Sequence, residues 1–354
     1  MTLTKKILII LAAILVVGGS ILIIYMVVDS PKQVQTPSAP QPESIAQTQP
    51  NQNKNPLTGE MNLPDSAVGK QPVSIMVSNS QSALPQAGIG QADLVYETVV
   101  EGGITRIMAL FADPNAIPLT GPVRSVREYY IDLAAPFNPV FVHFGGSETG
   151  YTALKNANLS KIDGMTSPNA FYQDKALASS KGKEHSYFVS SQTLQSSLTA
   201  FENNNALNYP DAFSFSNEPS ESSQMATSVH VPFSTGYVSD FVYDASTQKY
   251  LKSQFSAPQI DKNTGKQIAV DNVFILYANI TGASDGSERR EIDFSSGMGI
   301  YCTKGGAVNM MWSKDSQKSP FLFLSEDGDE LKVSPGQSWV CIVPVENKAS
   351  VTIS

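Results

Sequence analysis

The hydrophobic and polar positions of this chain fall into three successive patterns. No charged residue occurs across residues 7–28, which are mostly Ile, Leu, Val and Ala. Residues 29–54 are rich in Pro, Gln, Ser and Thr and contain almost no large apolar side chain. From residue 55 onward, short apolar segments alternate with turns that contain Gly or Pro. These patterns predict an apolar helix, a disordered linker and a folded region, in that order.

The first pattern is long enough to cross a membrane, because a helix rises about 1.5 Å per residue and a bilayer core is roughly 30 Å thick. Lys5 and Lys6 precede the run and Asp29 follows it, so the positive-inside rule places the N-terminus in the cytoplasm. A cleaved signal peptide would have a shorter apolar core that ends at a small-residue site, and a lipid anchor would need a nearby cysteine. The sequence therefore predicts a cytoplasmic stub and an uncleaved transmembrane anchor over residues 1–28, with the remainder outside the cell membrane.

The first part of the folded region mixes strand and helix signals. Near-continuous apolar runs predict strands, and apolar residues at helical spacing predict helices. The predicted strands cover residues 72–78, 93–100, 104–111 and 139–144, and the predicted helices cover residues 125–135, 148–157 and 189–201. Residues 55–205 are therefore expected to form an α/β (α+β) domain with a mixed sheet.

The second part of the folded region changes in character. Alternating or buried apolar runs recur without helical spacing, at residues 229–233, 273–278, 299–303, 307–312, 321–324 and 339–343. Gly and Asp-Gly turns separate these runs, which is typical of antiparallel strands. Residues 206–354 are therefore expected to form a second, predominantly β domain.

Two of the predicted strands are joined by Gly102 and Gly103, a hairpin signal because a two-residue primed turn needs positive φ. If these glycines form the turn, side-chain alternation places Asp93, Glu97 and Glu101 on one face with Arg106. The interpretations that remain open are a solvated sheet face or a structural salt-bridge network on the one hand, and the floor of a polar site that also includes His143 on the other.

An anion site is the second candidate. Arg124 and Arg127 stand three residues apart at a predicted helix start, where two guanidiniums on one face can grip a phosphate or carboxylate. Gly145, Gly146 and Ser147 lie at a predicted strand-to-helix junction, where backbone N–H groups favour anions. The alternatives are a glycine turn required only by geometry, and arginines paired with Glu97, Glu101 or Glu128.

The remaining reactive side chains are few. Cys302 and Cys341 fall in predicted strands of the β-rich part and are a disulfide candidate, with two buried free thiols as the alternative. His143 lies in a buried strand, where a structural role is the simpler interpretation, and His185 lies in a polar loop where both roles stay open.

Charge and motif content exclude several function classes. The chain has 24 Lys and Arg against 32 Asp and Glu, a net charge of −8, and lacks a basic run that would neutralise phosphates. A nucleic-acid partner is therefore not expected. Neither a metal-ligand motif nor a nucleophile or phosphate-loop motif occurs in the sequence, so we expect no metal and no cofactor.

Several motifs point to a known family. In chain order they are EGGITRIMALF, GPVRSVREYYIDLA, VHFGG, IDGM (162–165), FYQD (171–174), HSYF (185–188) and SPGQSWVCIVP (334–344). As a set they resemble the YerB-like family of exported bacterial envelope proteins, whose domain is of unknown function. The resemblance covers roughly residues 55–344 and implies the same fold and an envelope location. Family members often look like lipoproteins, whereas this sequence has no cysteine near its apolar run and is expected to use a transmembrane helix as its anchor.

Two functions follow as expectations. The first is a non-catalytic binding or accessory protein at the cell wall, whose partner is a wall glycan, a polyprenyl-phosphate lipid or a wall-synthesis protein. The second rests on a distant resemblance in element order to the LytR-CpsA-Psr transferases, which would act on a polyprenyl-pyrophosphate-linked polymer with Mg. That resemblance would make Asp93 a metal-binding acid and Arg106, Arg124 and Arg127 pyrophosphate clamps, with Asn79 standing where the family has an acid.

Overall fold

A computed structural model describes residues 53–201 and 209–354. They belong to one compact unit. The predicted anchor, nearly all of the predicted linker and the predicted domain boundary at residue 205 lie outside the described residues. Within the described ranges, no helix is long and apolar enough to cross a membrane.

The described part before residue 202 alternates strands and helices. Its strands are β1 (Val73–Ser78), β2 (Leu94–Val99), β3 (Thr105–Phe111), β4 (Val140–His143), β5 (Lys161–Asp163), β6 (Tyr172–Gln173) and β7 (Tyr187–Phe188). Its helices are α1 (Glu128–Ala134), α2 (Glu148–Ala157), α3 (Lys175–Lys181) and α4 (Ser191–Thr199). The prediction of a mixed α/β N-terminal part is confirmed.

The described part after residue 208 is built from strands. They are β8 (Gln224–Met225), β9 (Ser228–Ser234), β10 (Tyr237–Asp244), β11 (Lys249–Gln254), β12 (Ala257–Pro258), β13 (Ala269–Val270), β14 (Asn272–Gly282), β15 (Arg290–Asp293), β16 (Ser296–Thr303), β17 (Gly306–Ser313), β18 (Leu322–Ser325), β19 (Ser338–Pro344) and β20 (Thr352–Ile353). The prediction of a mostly β C-terminal part is confirmed.

Strands from both parts share one large sheet, in the order β18-β17-β16-β14-β19-β2-β3-β1-β4-β5. β19 pairs in parallel with β14 on one side and with β2 on the other. Every residue of β19 is buried, as expected for a central strand covered on both faces. A smaller sheet, β12-β11-β10-β9-β20, contacts β2 and β19 through β9.

The predicted helix at residues 125–135 begins three residues later, at Glu128. The preceding backbone is extended because Arg124 N–H donates to the Met76 carbonyl and Val126 N–H donates to the Gly145 carbonyl. These tertiary hydrogen bonds hold the segment before α1 against β1 and against the loop after β4. Helical spacing in the sequence did not reveal them.

The register of the β2–β3 hairpin differs from the prediction by one residue. Val100 N–H donates to the Ile104 carbonyl, so Glu101, Gly102 and Gly103 form a three-residue loop. Thr98 then faces Arg106, and Glu97 faces Ile107. Because successive strand residues point to opposite faces, Glu97 and Arg106 lie on opposite sides of the sheet. The predicted shared face of Asp93, Glu97, Glu101 and Arg106 is therefore wrong.

Glu97 instead occupies the interface between the two sheets, where its side chain is 0% exposed. Four donors reach its carboxylate: Asn79 Nδ2 (2.7 Å) and Thr105 Oγ1 (2.9 Å) bind Oε1, and Trp339 Nε1 (2.9 Å) and Ser239 Oγ (3.1 Å) bind Oε2. The donors come from three strands and one loop on both parts of the chain. Such a network stabilises the buried carboxylate because each of its two oxygens accepts two hydrogen bonds.

The two cysteines do not form the candidate disulfide. Both thiols are free and buried. Cys302 on β16 pairs with Val273, and Cys341 on β19 pairs with Ile275, so β14 lies between their strands. Strand spacing of about 4.8 Å puts the two backbones roughly 9–10 Å apart, beyond the reach of a disulfide.

We predict that Glu97→Gln destabilises the protein strongly. The substitution replaces one carboxylate oxygen by an NH₂ group, which faces a hydroxyl that can rotate to accept from it and an N–H donor that is left unsatisfied. At about 1–3 kcal/mol per buried unsatisfied group, the free energy of unfolding should fall by roughly 1–3 kcal/mol. Urea denaturation measures this change. The matched control is Glu330→Gln, since Glu330 pairs with Lys332 on the surface and should contribute less than about 1 kcal/mol. Equal effects of the two substitutions would contradict the buried network.

We also predict that unreduced protein carries two alkylatable cysteines once unfolded, and none while folded. Burial raises the pKa of the Cys341 thiol well above its usual value and excludes the reagent. Mass spectrometry after iodoacetamide treatment, with and without denaturant, counts the labels. Denatured protein that takes up no label without a reductant would show a disulfide after all.

Candidate functional site

The segments that carry the family resemblance meet at one end of the large sheet. Strands β1, β2, β4 and β5 run parallel to one another, because β3 is antiparallel to both β1 and β2. Asp163 ends β5, and the loops after β2 and β4 hold Glu101 and Gly145. The carboxyl edge of parallel strands is where open α/β sheets bind ligands. The candidate site lies along this edge.

Arg106 forms the buried base of the site. It lies near the start of β3, is 4% exposed, and donates from Nη1 to the Ser125 carbonyl at 2.8 Å. Tyr130 donates its hydroxyl to the Arg106 carbonyl at 2.6 Å, so α1 fixes the backbone at this residue. Burial lowers the pKa of Arg106 to about 10, which leaves the guanidinium charged at neutral pH.

Arg127, at the start of α1, forms the ion pair of the site. Its Nε donates to a carboxylate oxygen of Glu101, and its Nη1 donates to the Val126 carbonyl at 2.8 Å. Burial acts to raise the pKa of Glu101, but the hydrogen bond and charge of Arg127 outweigh it and hold that pKa below its usual value. The carboxylate of the three-residue hairpin loop is therefore ionised and already paired.

Arg124 is the more open of the three arginines. It is half-buried, and its Nη1 donates to the Glu184 carbonyl at 3.0 Å. Burial lowers the pKa of Arg124, the nearby charge of Glu184 opposes this, and the charge of Arg127 lowers that pKa further. Among the ion pairs of the described residues, Glu101 is the one carboxylate bound to any of these three guanidiniums. Among the described residues, Arg106 and Arg124 therefore have no carboxylate within salt-bridge distance.

The other carboxylates considered as arginine partners lie elsewhere. Glu97 is on the opposite face of the sheet, and Glu128 pairs with Arg289 at 2.7 Å. Of the three pairings expected from the sequence, the one with Glu101 is formed.

The glycine turn after β4 is needed for geometry. Gly145 has φ 71°, its N–H donates to Asp163 Oδ1 at 2.9 Å, and its carbonyl accepts from Val126 N–H at 3.0 Å. A Cβ on Gly146 would lie 2.6 Å from a methyl group of Val126, so only glycine fits against that segment. Ser147 caps α2 by accepting from the Gly150 N–H at 3.0 Å. The turn therefore brings the loop after β4 against the arginine segment.

His143 supports this turn from below. It is fully buried at the end of β4, and its Nδ1 lies 2.8 Å from the Gly145 carbonyl. Burial lowers the pKa of His143, so the ring is neutral and Nδ1 carries the proton that it donates. The interpretation of His143 as a structural histidine agrees with these contacts, and it does not join Glu97 or Glu101 in one cluster.

Asp163 also lies at the carboxyl edge of the parallel strands, and the sequence analysis did not identify it as a candidate. It accepts from Gly145 N–H (2.9 Å), Met165 N–H (3.0 Å) and the Tyr151 hydroxyl (2.8 Å). Burial acts to raise the pKa of Asp163, but these hydrogen bonds outweigh it and hold that pKa below its usual value. Its place at the carboxyl end of a short strand, within IDGM, was the signal that could have identified it.

Asp93 lies away from the arginines. It precedes β2 whereas Glu101 follows it, so a six-residue strand separates the two by roughly 20 Å. Its carboxylate accepts from Asn55 Nδ2 at 2.9 Å and from Ala112 N–H at 2.7 Å, and burial raises its pKa to about 6. A metal-binding acid at Asp93 would not face the arginine clamps that the transferase resemblance implied.

Two family models match the chain. The one described as "Protein of unknown function (DUF3048) N-terminal domain" matches residues 57–205, and the one described as its C-terminal domain matches residues 229–340. The N-terminal match contains the whole arginine site. The C-terminal match contains the strands that complete the large sheet.

A relative and a solved structure resemble the chain along most of its length. The "Putative lipoprotein YerB" of Bacillus subtilis (strain 168) is 29% identical over 308 residues, which cover 84% of this chain and 88% of that protein. The crystal structure of the YerB protein from Bacillus subtilis has a TM-score of 0.74 and 27% identity, covering 85% of this chain and 99% of that one. The chain therefore belongs to the YerB-like family, whose two domains are described as being of unknown function.

Proposed function

We propose that this chain is a membrane-anchored extracytoplasmic protein of the bacterial envelope that binds an anionic group of the cell wall without transforming it. The description of its relative as a lipoprotein supports an envelope location. The uncharged run at residues 7–28 supplies an anchor of a different kind. The observation that carries the binding function is the imbalance between three guanidiniums and one paired carboxylate at the carboxyl edge of the large sheet.

The charge balance favours an anionic ligand. Arg106, Arg124 and Arg127 bring three positive charges to one edge, where Glu101 is bound to Arg127 and the charge of Glu184 acts on Arg124. Burial is the main cause that lowers the pKa of Arg106 and of Arg124, and the nearby charge of Arg127 lowers both further, as expected for cations that are held close together and repel one another. An added phosphate or carboxylate relieves that repulsion through charge-assisted hydrogen bonds.

The three arginines would have different roles. Arg106 and Arg127 already donate to the Ser125 carbonyl and to Glu101, so they position the segment before α1. Arg124 is half-buried and donates from Nη1 to the Glu184 backbone carbonyl, so its remaining donors can turn toward a ligand. Arg124 is therefore the residue that we expect to contact the anion.

The ligand class follows from the location and the charge. Wall glycans and polyprenyl-phosphate lipids carry phosphate or carboxylate groups outside the membrane, and both fit a bidentate guanidinium. A wall-synthesis protein could present the same group on an acidic segment. The proposal requires neither a cofactor nor a proton-transfer residue, since Glu101 and Asp163 are both engaged in hydrogen bonds.

We predict that Arg124→Gln weakens the binding of pyrophosphate or of purified wall polymer by roughly ten- to a hundredfold. The substitution removes a charge-assisted contact worth about 1.5–3 kcal/mol. Isothermal titration calorimetry measures the affinity, and a thermal melt checks folding. The matched control is Arg290→Gln on β15, which should leave binding unchanged. Parent-like binding by folded Arg124→Gln protein would remove the arginine from the site.

We also predict that residues 30–354 lie outside the cell membrane. Protease added to intact cells stripped of their wall should degrade the folded region while a cytoplasmic marker survives, because the two lysines before the anchor hold the N-terminus inside. Immunoblotting follows the digestion. Protection of the folded region, while a surface protein in the same sample is digested, would reverse the proposed orientation.

A further inference from the structure

A buried amine, a carboxylate and a primary amide meet between the two sheets. Lys252 on β11 has a side chain that is 0% exposed. Its Nζ lies 2.6 Å from Gln259 Oε1 and 3.7 Å from Glu97 Oε2. The rings of Trp339 and Phe241 flank the amine, with centroids 4.7 and 5.6 Å from Nζ. The three reactive groups therefore share an aromatic-walled site that excludes solvent.

The hairpin geometry holds the amine against the amide. Gln259 N–H donates to the Lys252 carbonyl at 3.0 Å, so the two residues are cross-strand neighbours just beyond the β11–β12 pairing. Gln259 Nε2 donates to Gln86 Oε1 at 3.1 Å and to Asn79 Oδ1 at 3.3 Å. These bonds turn Oε1 toward Lys252. The electrophilic Cδ is one carbonyl bond, about 1.23 Å, from the atom that Nζ already touches.

We propose that Lys252 and Gln259 condense into an intramolecular amide bond, with Glu97 relaying the proton. Nζ of Lys252, an ammonium, gives a first proton to Glu97 Oε2 and attacks Cδ of Gln259, so that a C–N bond forms. Nζ then loses a second proton to Nε2, Glu97 returns the first proton to the same nitrogen, and the bond from Cδ to Nε2 breaks. One ammonium ion leaves, the new amide keeps one hydrogen, and Glu97 ends as the carboxylate that it was at the start.

The reaction needs an amine that can lose its proton, a fixed proton acceptor, and contact between amine and amide, and the surroundings favour all three. Burial lowers the pKa of Lys252, the main effect on that amine, although the charge of Glu97 opposes it. The carboxylate is held by four donors and cannot move away. Fixing amine and amide in contact gives a high effective concentration, and a site without bulk water disfavours hydrolysis of the product.

The new bond would be a covalent cross-link within the smaller sheet. It would join β11 to Gln259, the residue after β12, beside β2 and β19, which supply Glu97 and Trp339.

The test is the intact mass of the full-length purified chain. We expect a mass lower than the sequence mass by one ammonia. Trypsin should then leave residues 250–262 as one peptide that lacks one ammonia, since an acylated lysine is not cleaved and the flanking Lys249 and Lys262 remain free. An intact mass equal to the sequence mass, with normal cleavage after Lys252, would overturn the proposal.

Three variants assign the bond. Lys252→Arg and Gln259→Leu should both restore the full sequence mass, the first by removing the amine and the second by removing the acyl group. Lys249→Arg is the matched control on the same strand, and it should keep the loss of ammonia because Lys249 pairs with Asp271 instead. Loss of one water in the parent chain, in place of ammonia, would rule out Gln259 as the acyl partner.

Discussion

The parallel pairing of β19 with β2 and with β14 is the constraint on which the rest of the structure depends. It joins the last long strand of the chain to one of the first, so the two matched domains share a single sheet. Parallel pairing also buries β19 on both faces, and the smaller sheet covers β2 and β19 through β9. The interface beneath that smaller sheet exists only because strands from both parts meet there.

The polar groups of that interface depend on the pairing. Cys341 of β19 stands opposite Glu97 of β2, and Trp339 on the same strand donates to the Glu97 carboxylate. Lys252 reaches the carboxylate from the smaller sheet. A buried carboxylate is tolerated here because four donors and a nearby amine offset its desolvation. The same groups that stabilise the interface are those that bring an amine and an amide into contact.

The arginine site depends on the opposite face and on a different principle. Parallel strands β1, β2, β4 and β5 end together, so the loops that follow them converge although they are far apart in sequence. Gly146 permits the close approach of the loop after β4 to Val126, and Asp163 holds Gly145 in its left-handed conformation. The resulting edge carries more guanidinium than carboxylate charge, which is the physical basis of the proposed anion binding.

Local patterns in the sequence determined the strands from β1 to β4, the cap at Ser147, the glycine turns and the all-β character after residue 208. They also identified Arg106, Arg124 and Arg127 as candidates for one neighbourhood. The hairpin register was decided only by the tertiary structure, because the same two strands can be joined by a two-residue or a three-residue glycine loop. The two-residue loop would place Glu97 on the same face as Arg106, whereas the three-residue loop places it on the opposite face. The roles of Asp163 and Lys252 were likewise set by partners distant in sequence, since a single residue's type carries no record of what the folded chain brings beside it.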